Sequence, residues 1–292
     1  MAFEGFELSR VDVGEVTLRV RHGGAGPPLL LLHGCPQTHM MWRKVAGELA
    51  REFTVIAPDL RGYGESSKPE PVEDHANYSK RAMAGDALAL MKTFGFDRFR
   101  VAGHDRGGRV AYRLALDHPH AVERISALDI IPTGEVWARA DHRFALRYWF
   151  WPFMAQPAPL PETVIGRDPE YFFFEGMFRG RKDIFAPEAY ADYTRCNADP
   201  LTVRGVCEDY RAGASFDRLL DLEQRGKRKI DCPVQVLWGA GGAVGAMGDV
   251  LGIWRGWADD LSGQAIPGGH FLPEESPAET LSAMQAFFRQ GR

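Results

Sequence analysis

The residues with the clearest chemical potential are Gly103-His104-Asp105-Arg106-Gly107-Gly108, which follow the strand pattern Phe99-Arg100-Val101-Ala102 and precede a helical pattern. Strand, glycines and helix in this order predict a tight turn that lifts one side chain above a sheet, a nucleophile elbow with Asp105 at the position usually held by serine. No Gly-x-Ser-x-Gly occurs in the chain. An aspartate with an ordinary pKa near ~3.9 is already anionic at neutral pH and needs no activating base. Its natural target is a saturated carbon carrying a leaving group, and the product is an ester on the aspartate itself. Hydrolysis of that ester calls for a base. His270, in Ile266-Pro267-Gly268-Gly269-His270-Phe271, lies late in the chain, as the elbow order of nucleophile, acid and histidine requires. For the acid, the loop after residues 234–239 holds no carboxylate before Asp249, whereas Asp129 directly follows the strand pattern at 125–128. Asp129 is therefore expected behind the imidazole, fixing its tautomer and stabilising its cation. The amides of Cys35, in His33-Gly34-Cys35-Pro36, and of Arg106 are candidates for an oxyanion hole. The structural alternatives are a helix cap for Asp105, a loop histidine for His270 and a bridging carboxylate for Asp129.

These residues need a scaffold, and the first half of the chain supplies one. Strand patterns at 16–20, 28–32, 54–57, 99–102 and 125–128 alternate with helical spacing at 42–53, 81–94 and 110–116. The continuous apolar run Leu29-Leu30-Leu31-Leu32 reads as a strand covered on both faces. Such alternation predicts a mainly parallel sheet flanked by helices. Asp59-Leu60-Arg61-Gly62-Tyr63-Gly64-Glu65-Ser66 reads as scaffold. The rhythm stops between Thr133 and Phe216, where no strand is evident and half of the chain's aromatic side chains gather, as in Tyr148-Trp149-Phe150-Trp151 and Tyr171-Phe172-Phe173-Phe174. Strand patterns resume at 233–239 and 264–266, with helices around Trp254 and over 279–288. The expected organisation is one α/β core, residues 1–133 and 217–292, with a helical lid inserted at 134–216.

Composition narrows the function classes. The 292 residues carry 35 Lys and Arg against 39 Asp and Glu, a net charge of −4, which disfavours nucleic-acid binding. No apolar run approaches the ~20 residues of a membrane span. The first residues, Met1-Ala2-Phe3-Glu4, lack the basic flank of a signal peptide, and the four cysteines form no C-x-x-C pair, so the expected compartment is the cytoplasm. No histidine spacing suggests a metal, and the chemistry inferred above requires no cofactor.

Several segments together carry a family resemblance. His33-Gly34-x-Pro36, Asp59-x-Arg61-Gly62-x-Gly64-x-Ser66, the Asp105 elbow, Asp129 and His270 resemble the α/β-hydrolase superfamily over essentially the whole chain. More narrowly, Gly103-His104-Asp105-Arg106-Gly107-Gly108-Arg109, Leu128-Asp129-Ile130-Ile131-Pro132-Thr133, the segment at 155–162, Cys207-Glu208-Asp209-Tyr210-Arg211-Ala212-Gly213 and Gly269-His270-Phe271-Leu272-Pro273-Glu274-Glu275 resemble the haloacetate (fluoroacetate) dehalogenases. The resemblance implies displacement of halide from the α-carbon of a short 2-halo carboxylic acid by Asp105, then release of the hydroxy acid by water activated through His270 and Asp129. It also implies a homodimer, and places substrate-carboxylate binding on Arg106 and Arg109. Positions i and i+3 at a helix N-terminus suit that task. The halide pocket of the family maps onto Trp151 and Tyr210, but Phe150 stands where a histidine is expected. One hydrogen-bond donor is thereby lost, which weighs most against fluoride. Cys35 replaces a bulkier aromatic and is expected to enlarge the cavity.

Two further readings stay open. An epoxide hydrolase shares the aspartate elbow and the His-Gly-x-Pro segment, and would use two of Tyr148, Tyr171, Tyr190, Tyr193 and Tyr210 as proton donors, though Arg106 and Arg109 have no task with a neutral epoxide. A ligand-binding protein that keeps the cavity without turnover is the other.

Overall fold

The computed structural model describes residues 3–290. Eight strands form one sheet in the order β1-β2-β4-β3-β5-β6-β7-β8. Six of them, β3 (Pro28–Leu32), β4 (Thr54–Pro58), β5 (Phe99–His104), β6 (Val122–Leu128), β7 (Val234–Gly239) and β8 (Leu261–Ile266), run parallel. The leucines of β3 and every residue of β5 are buried, because helices cover both faces at the centre of the sheet.

The remaining two strands, β1 (Glu7–Asp12) and β2 (Thr17–Gly23), form an antiparallel pair along β4. The sequence pattern reveals β2 but not β1. No residue of β1 is fully buried, so the edge strand carries no apolar alternation to detect. A second difference concerns residues 42–53, expected as one helix. The chain instead forms a short 3-10 turn, His39–Trp42, and a single helical turn, Ala46–Leu49. Between them Val45, at φ −119 and ψ −24, departs from the φ of a continuous helix. Trp42, Ala46 and Leu49 are nevertheless all buried, which produces the helical spacing.

The elbow helix begins at Arg106 and ends at Asp117, earlier and later than the expected 110–116. Glycine, a poor helix former, hides its first turn from propensity. A Cβ on Gly107 would lie 2.4 Å from the carbonyl oxygen of Leu32, so only glycine lets this helix start against β3.

Between β6 and β7 the chain makes no strand. Helices from Thr133 to Gln224 fill the insertion, among them Pro187–Asn197 and Pro200–Ala214. Asp199 caps the latter helix through the N–H of Leu201, and Pro200 occupies its first turn. The expected aromatic core of this helical lid is present: Trp149 packs edge-on to Phe172, and Phe174 to Tyr190. Among the described residues no helix is long and apolar enough to cross a membrane.

Candidate active site

The three residues singled out for the ester chemistry converge from loops at the C-terminal edge of the sheet. Asp105 follows β5 with φ +48 and ψ −114, a conformation that non-glycine residues rarely adopt and that active sites retain. Its Oδ1 accepts the backbone N–H of Cys35 at 3.0 Å. A Cβ on Gly34 would stand 2.5 Å from that of Asp105, so glycine at 34 permits the close approach. Asp129 follows β6, also with positive φ. Its Oδ1 accepts the N–H of Gly239 at 2.9 Å, and its Oδ2 lies 2.6 Å from His270 Nδ1. A carboxylate only accepts, so Nδ1 carries the proton and Nε2 is the basic nitrogen. That Nε2 stands 3.8 Å from Asp105 Oδ2.

The electrostatics suit this division of labour. Burial alone would push the Asp105 carboxyl up, but the positive charge of His270, followed by that of Arg106, holds it below the usual carboxylate range. Burial opposes protonation of His270. The hydrogen bond and charge of Asp129, with Asp105 beyond, outweigh it and raise the imidazole above the ordinary histidine value. Burial likewise pushes the Cys35 thiol well up, so it stays neutral beside Asp105.

Asp105, Asp129 and His270 border a cavity of about 230 Å³. Of the residues assigned to substrate binding, Arg109, Phe150, Trp151, Tyr210 and Cys35 line it. Arg109 is buried and makes no ion pair among the described residues. Its Nη1 donates to the carbonyl of Ile131 at 2.9 Å and its Nε has no partner. Burial and then repulsion from Arg106 lower its pKa, and the charge of Asp105 across the cavity offsets this only in part.

Arg106 departs from the expected arrangement. It does not line the cavity. Its guanidinium pairs with Asp209, Nε to Oδ2 at 2.7 Å and Nη2 to Oδ1 at 2.8 Å, while its buried Nη1 has no hydrogen-bond partner. The residue types at 106 and 109 are identical, but Asp209 on the lid helix pairs with Arg106, whereas Arg109 bonds to Ile131 and Thr133. Asp209 was not singled out in the sequence, because its pairing spans 103 positions.

Other residues of the site also escape sequence reasoning. Phe178 lies over the His270 ring at 6.1 Å between centroids and 13° between planes, and no local signal marks it out among so many lid aromatics. His104 contacts the His270 carbonyl; its place within the elbow is its only signal. Of the five lid tyrosines, Tyr148 and Tyr210 line the cavity. Tyr190 and Tyr193 instead donate to Glu170 and Glu274, and Tyr171 is exposed. Among the described residues no three His, Cys, Asp or Glu side chains gather as a metal site.

A parallel sheet with an acid–base–acid set on the loops after β5, β6 and β8, roofed by inserted helices, defines an α/β-hydrolase architecture. The family model for the α/β hydrolase fold matches residues 27–277, and the chain belongs to that family. It is 46% identical over 294 residues to a fluoroacetate dehalogenase of Burkholderia sp, covering 99% of this chain and 96% of the relative. It is 34% identical to a soluble epoxide hydrolase of Corynebacterium sp. strain C12, with 91% of each chain covered. A solved structure of a Nostoc sp PCC 7120 protein described as an α/β hydrolase superposes with a TM-score of 0.95 at 50% identity, covering 99% of both chains. Other matching structures are described as epoxide hydrolases. The protein is thus a hydrolytic enzyme of the catalytic-triad type acting on small organic substrates.

Proposed function

We propose that this protein is a hydrolytic dehalogenase of short 2-halo carboxylic acids. The observation that carries the reading is Arg109, a buried cation with no ion-pair partner among the described residues, on the wall of the cavity that holds Asp105. A buried unpaired charge is costly, and a substrate carboxylate relieves that cost.

In this reading the carboxylate docks on Arg109, and Asp105 attacks the α-carbon. The carbon–halogen bond breaks with its electron pair leaving as halide, toward the indole N–H of Trp151 and the hydroxyl of Tyr210. The product is an ester between Asp105 and the α-carbon. His270 Nε2 then takes a proton from water, whose oxygen attacks the ester carbonyl, while the Cys35 amide, 3.0 Å from Asp105 Oδ1, steadies the oxyanion. Collapse breaks the bond to the substrate oxygen, which takes the proton from His270 and leaves as the hydroxy acid; the regenerated Asp105 carboxyl gives its proton to solvent and returns to the carboxylate. No cofactor enters these steps. The reading includes residues 134–216 as the lid, a homodimer and residence in the cytoplasm.

A second reading, epoxide hydrolysis, is favoured by the presence of Tyr148 and Tyr210 together on the cavity wall. Burial raises the pKa of both, so both hydroxyls stay protonated and able to donate to an epoxide oxygen. The relatives described as epoxide hydrolases add to it. Asp105 and His270 would serve the same two steps.

Release of halide from fluoro-, chloro- and bromoacetate, measured beside diol formation from styrene oxide, separates the two. Dehalogenation with no diol supports the first reading; diol with no halide overturns it in favour of the second.

A further inference from the structure

The loop that carries His270 is held by groups with no part in the steps above. Glu275 closes the short helix Leu272–Glu275 just after it. Its Oε2 accepts the N–H of Gly269 and its Oε1 the N–H of Phe271, both at 2.9 Å. One carboxylate therefore fixes the amides on either side of His270. From beneath, Nε2 of the fully buried His104 donates to the His270 carbonyl at 2.7 Å. Burial drives the His104 pKa down to about 3, so this ring is neutral.

The lid reaches the same carboxylate. Arg181 Nη2 stands 3.1 Å from Glu275 Oε2, and both residues line the cavity. Phe178, three residues earlier, covers the His270 ring almost in parallel. The neighbouring Glu274 faces away, toward Arg43 and Tyr193. The charged or titratable groups around His270 are thus Asp129 behind it, Asp105 and Arg109 across the cavity, His104 beneath, Glu275 with Arg181 at its loop, and Arg147, Tyr148, Arg179 and Tyr210 on the same cavity wall.

We propose that Glu275 is a positioning residue for hydrolysis of the Asp105 ester, and that Arg181 makes its setting depend on the seated lid. Glu275 restrains the His270 backbone and adds negative charge near the imidazole. Arg181 partly neutralises that charge and ties the loop to the lid. The inference rests on the two-step reading through Asp105 and His270. It holds for a halo acid or an epoxide, since either leaves an ester on Asp105.

Removing the Glu275 charge destabilises the imidazolium, and removing the Arg181 charge does the reverse. Single-turnover quench with chloroacetate, read by mass spectrometry of the Asp105 ester, tests both. Glu275→Gln is expected to form the ester at the wild-type rate, to lose it on the order of tenfold more slowly, and to move the acid limb of that decay to lower pH. Arg181→Gln is expected to move the limb to higher pH. Should Glu275→Gln fold poorly, Glu275→Asp keeps the charge and shortens the reach, so decay slows with the limb unmoved. Carbon-13 NMR titration of His270 in the resting enzyme reads the same two opposite shifts without turnover. If no ester forms with chloroacetate or styrene oxide, the two-step reading fails, while the titration still tests the clamp. Wild-type His270 titration in both variants overturns the proposal, as does equal slowing of ester formation and decay.

Discussion

Arg106 grips Asp209 at two points, Nε to Oδ2 at 2.7 Å and Nη2 to Oδ1 at 2.8 Å, with both side chains buried. Lys80 pairs with the same carboxylate and Tyr63 donates its hydroxyl to it at 2.6 Å. The charges of Arg106 and Lys80 hold the Asp209 carboxyl well below the usual range in spite of burial. This cluster joins the lid helix Pro200–Ala214 to the elbow helix and to the helix that begins at Lys80. Asp209→Asn leaves Arg106 buried without its anion and Lys80 with Asp217 at 3.7 Å, at a cost of about 3–5 kcal/mol. The unfolding free energy is expected to fall by about that amount, read as a lower urea midpoint at unchanged slope, and an unchanged midpoint would show that the cluster adds little to stability.

Arg109 offers the sharper test of substrate charge. A hydrogen bond to a charged partner contributes about 1.5–3 kcal/mol, so Arg109→Leu is expected to lower kcat/KM for chloroacetate by roughly ten- to a hundredfold. Turnover of a neutral epoxide, if present, is expected to change far less. Equal loss on both substrates would remove Arg109 from carboxylate binding.

The histidine makes a prediction about sequence of steps and about pH. His270→Asn is expected to leave the first step running, so the ester on Asp105 accumulates and is seen as added mass; free product at the wild-type rate would exclude His270 as base. Only neutral imidazole can take a proton from water, and the folded enzyme raises this group above its ordinary value. Turnover limited by ester hydrolysis is therefore expected to fall as pH drops through the His270 pKa, which Asp129 still holds up once the Asp105 charge is lost in the ester. Activity sustained below that value would contradict the assignment.

Phe150 lines the cavity beside Trp151 and Tyr210, with ring centroids 6.4 Å from Tyr210. It brings no hydrogen-bond donor. Phe150→His restores one, and the gain is expected to be larger for fluoroacetate than for chloroacetate, because fluoride leaves least readily without hydrogen bonds. Halide release measured on both substrates decides this; equal gains would mean that position 150 does not discriminate between halides.

The extent to which the fold was legible follows the depth of each element. Strand β3 was legible as four leucines and β5 as a short strand pattern ahead of the elbow glycines, since strands covered on both faces are mostly apolar. Strand β1 was not, because an exposed edge is free to be polar. The elbow helix lost its first turn to glycines that sterics demand at 107. The lid showed itself only as a crowd of aromatics without period. Which rings build its own core and which, like Phe178, reach the site depends on contacts distant in sequence.

The sequence by itself determined the order of the chemistry-bearing groups: an aspartate on a strand-to-helix turn, an acid after the next strand, a histidine after the last. These are local facts, written in glycine spacing and short apolar runs. Only the tertiary structure decided which of two arginines three residues apart is paired with a lid carboxylate. That choice is made by Asp209, which reaches Arg106 from the lid across 103 residues of chain. Opposite charges in a low-dielectric interior pair with whatever the fold brings near, and sequence spacing carries no record of that distance.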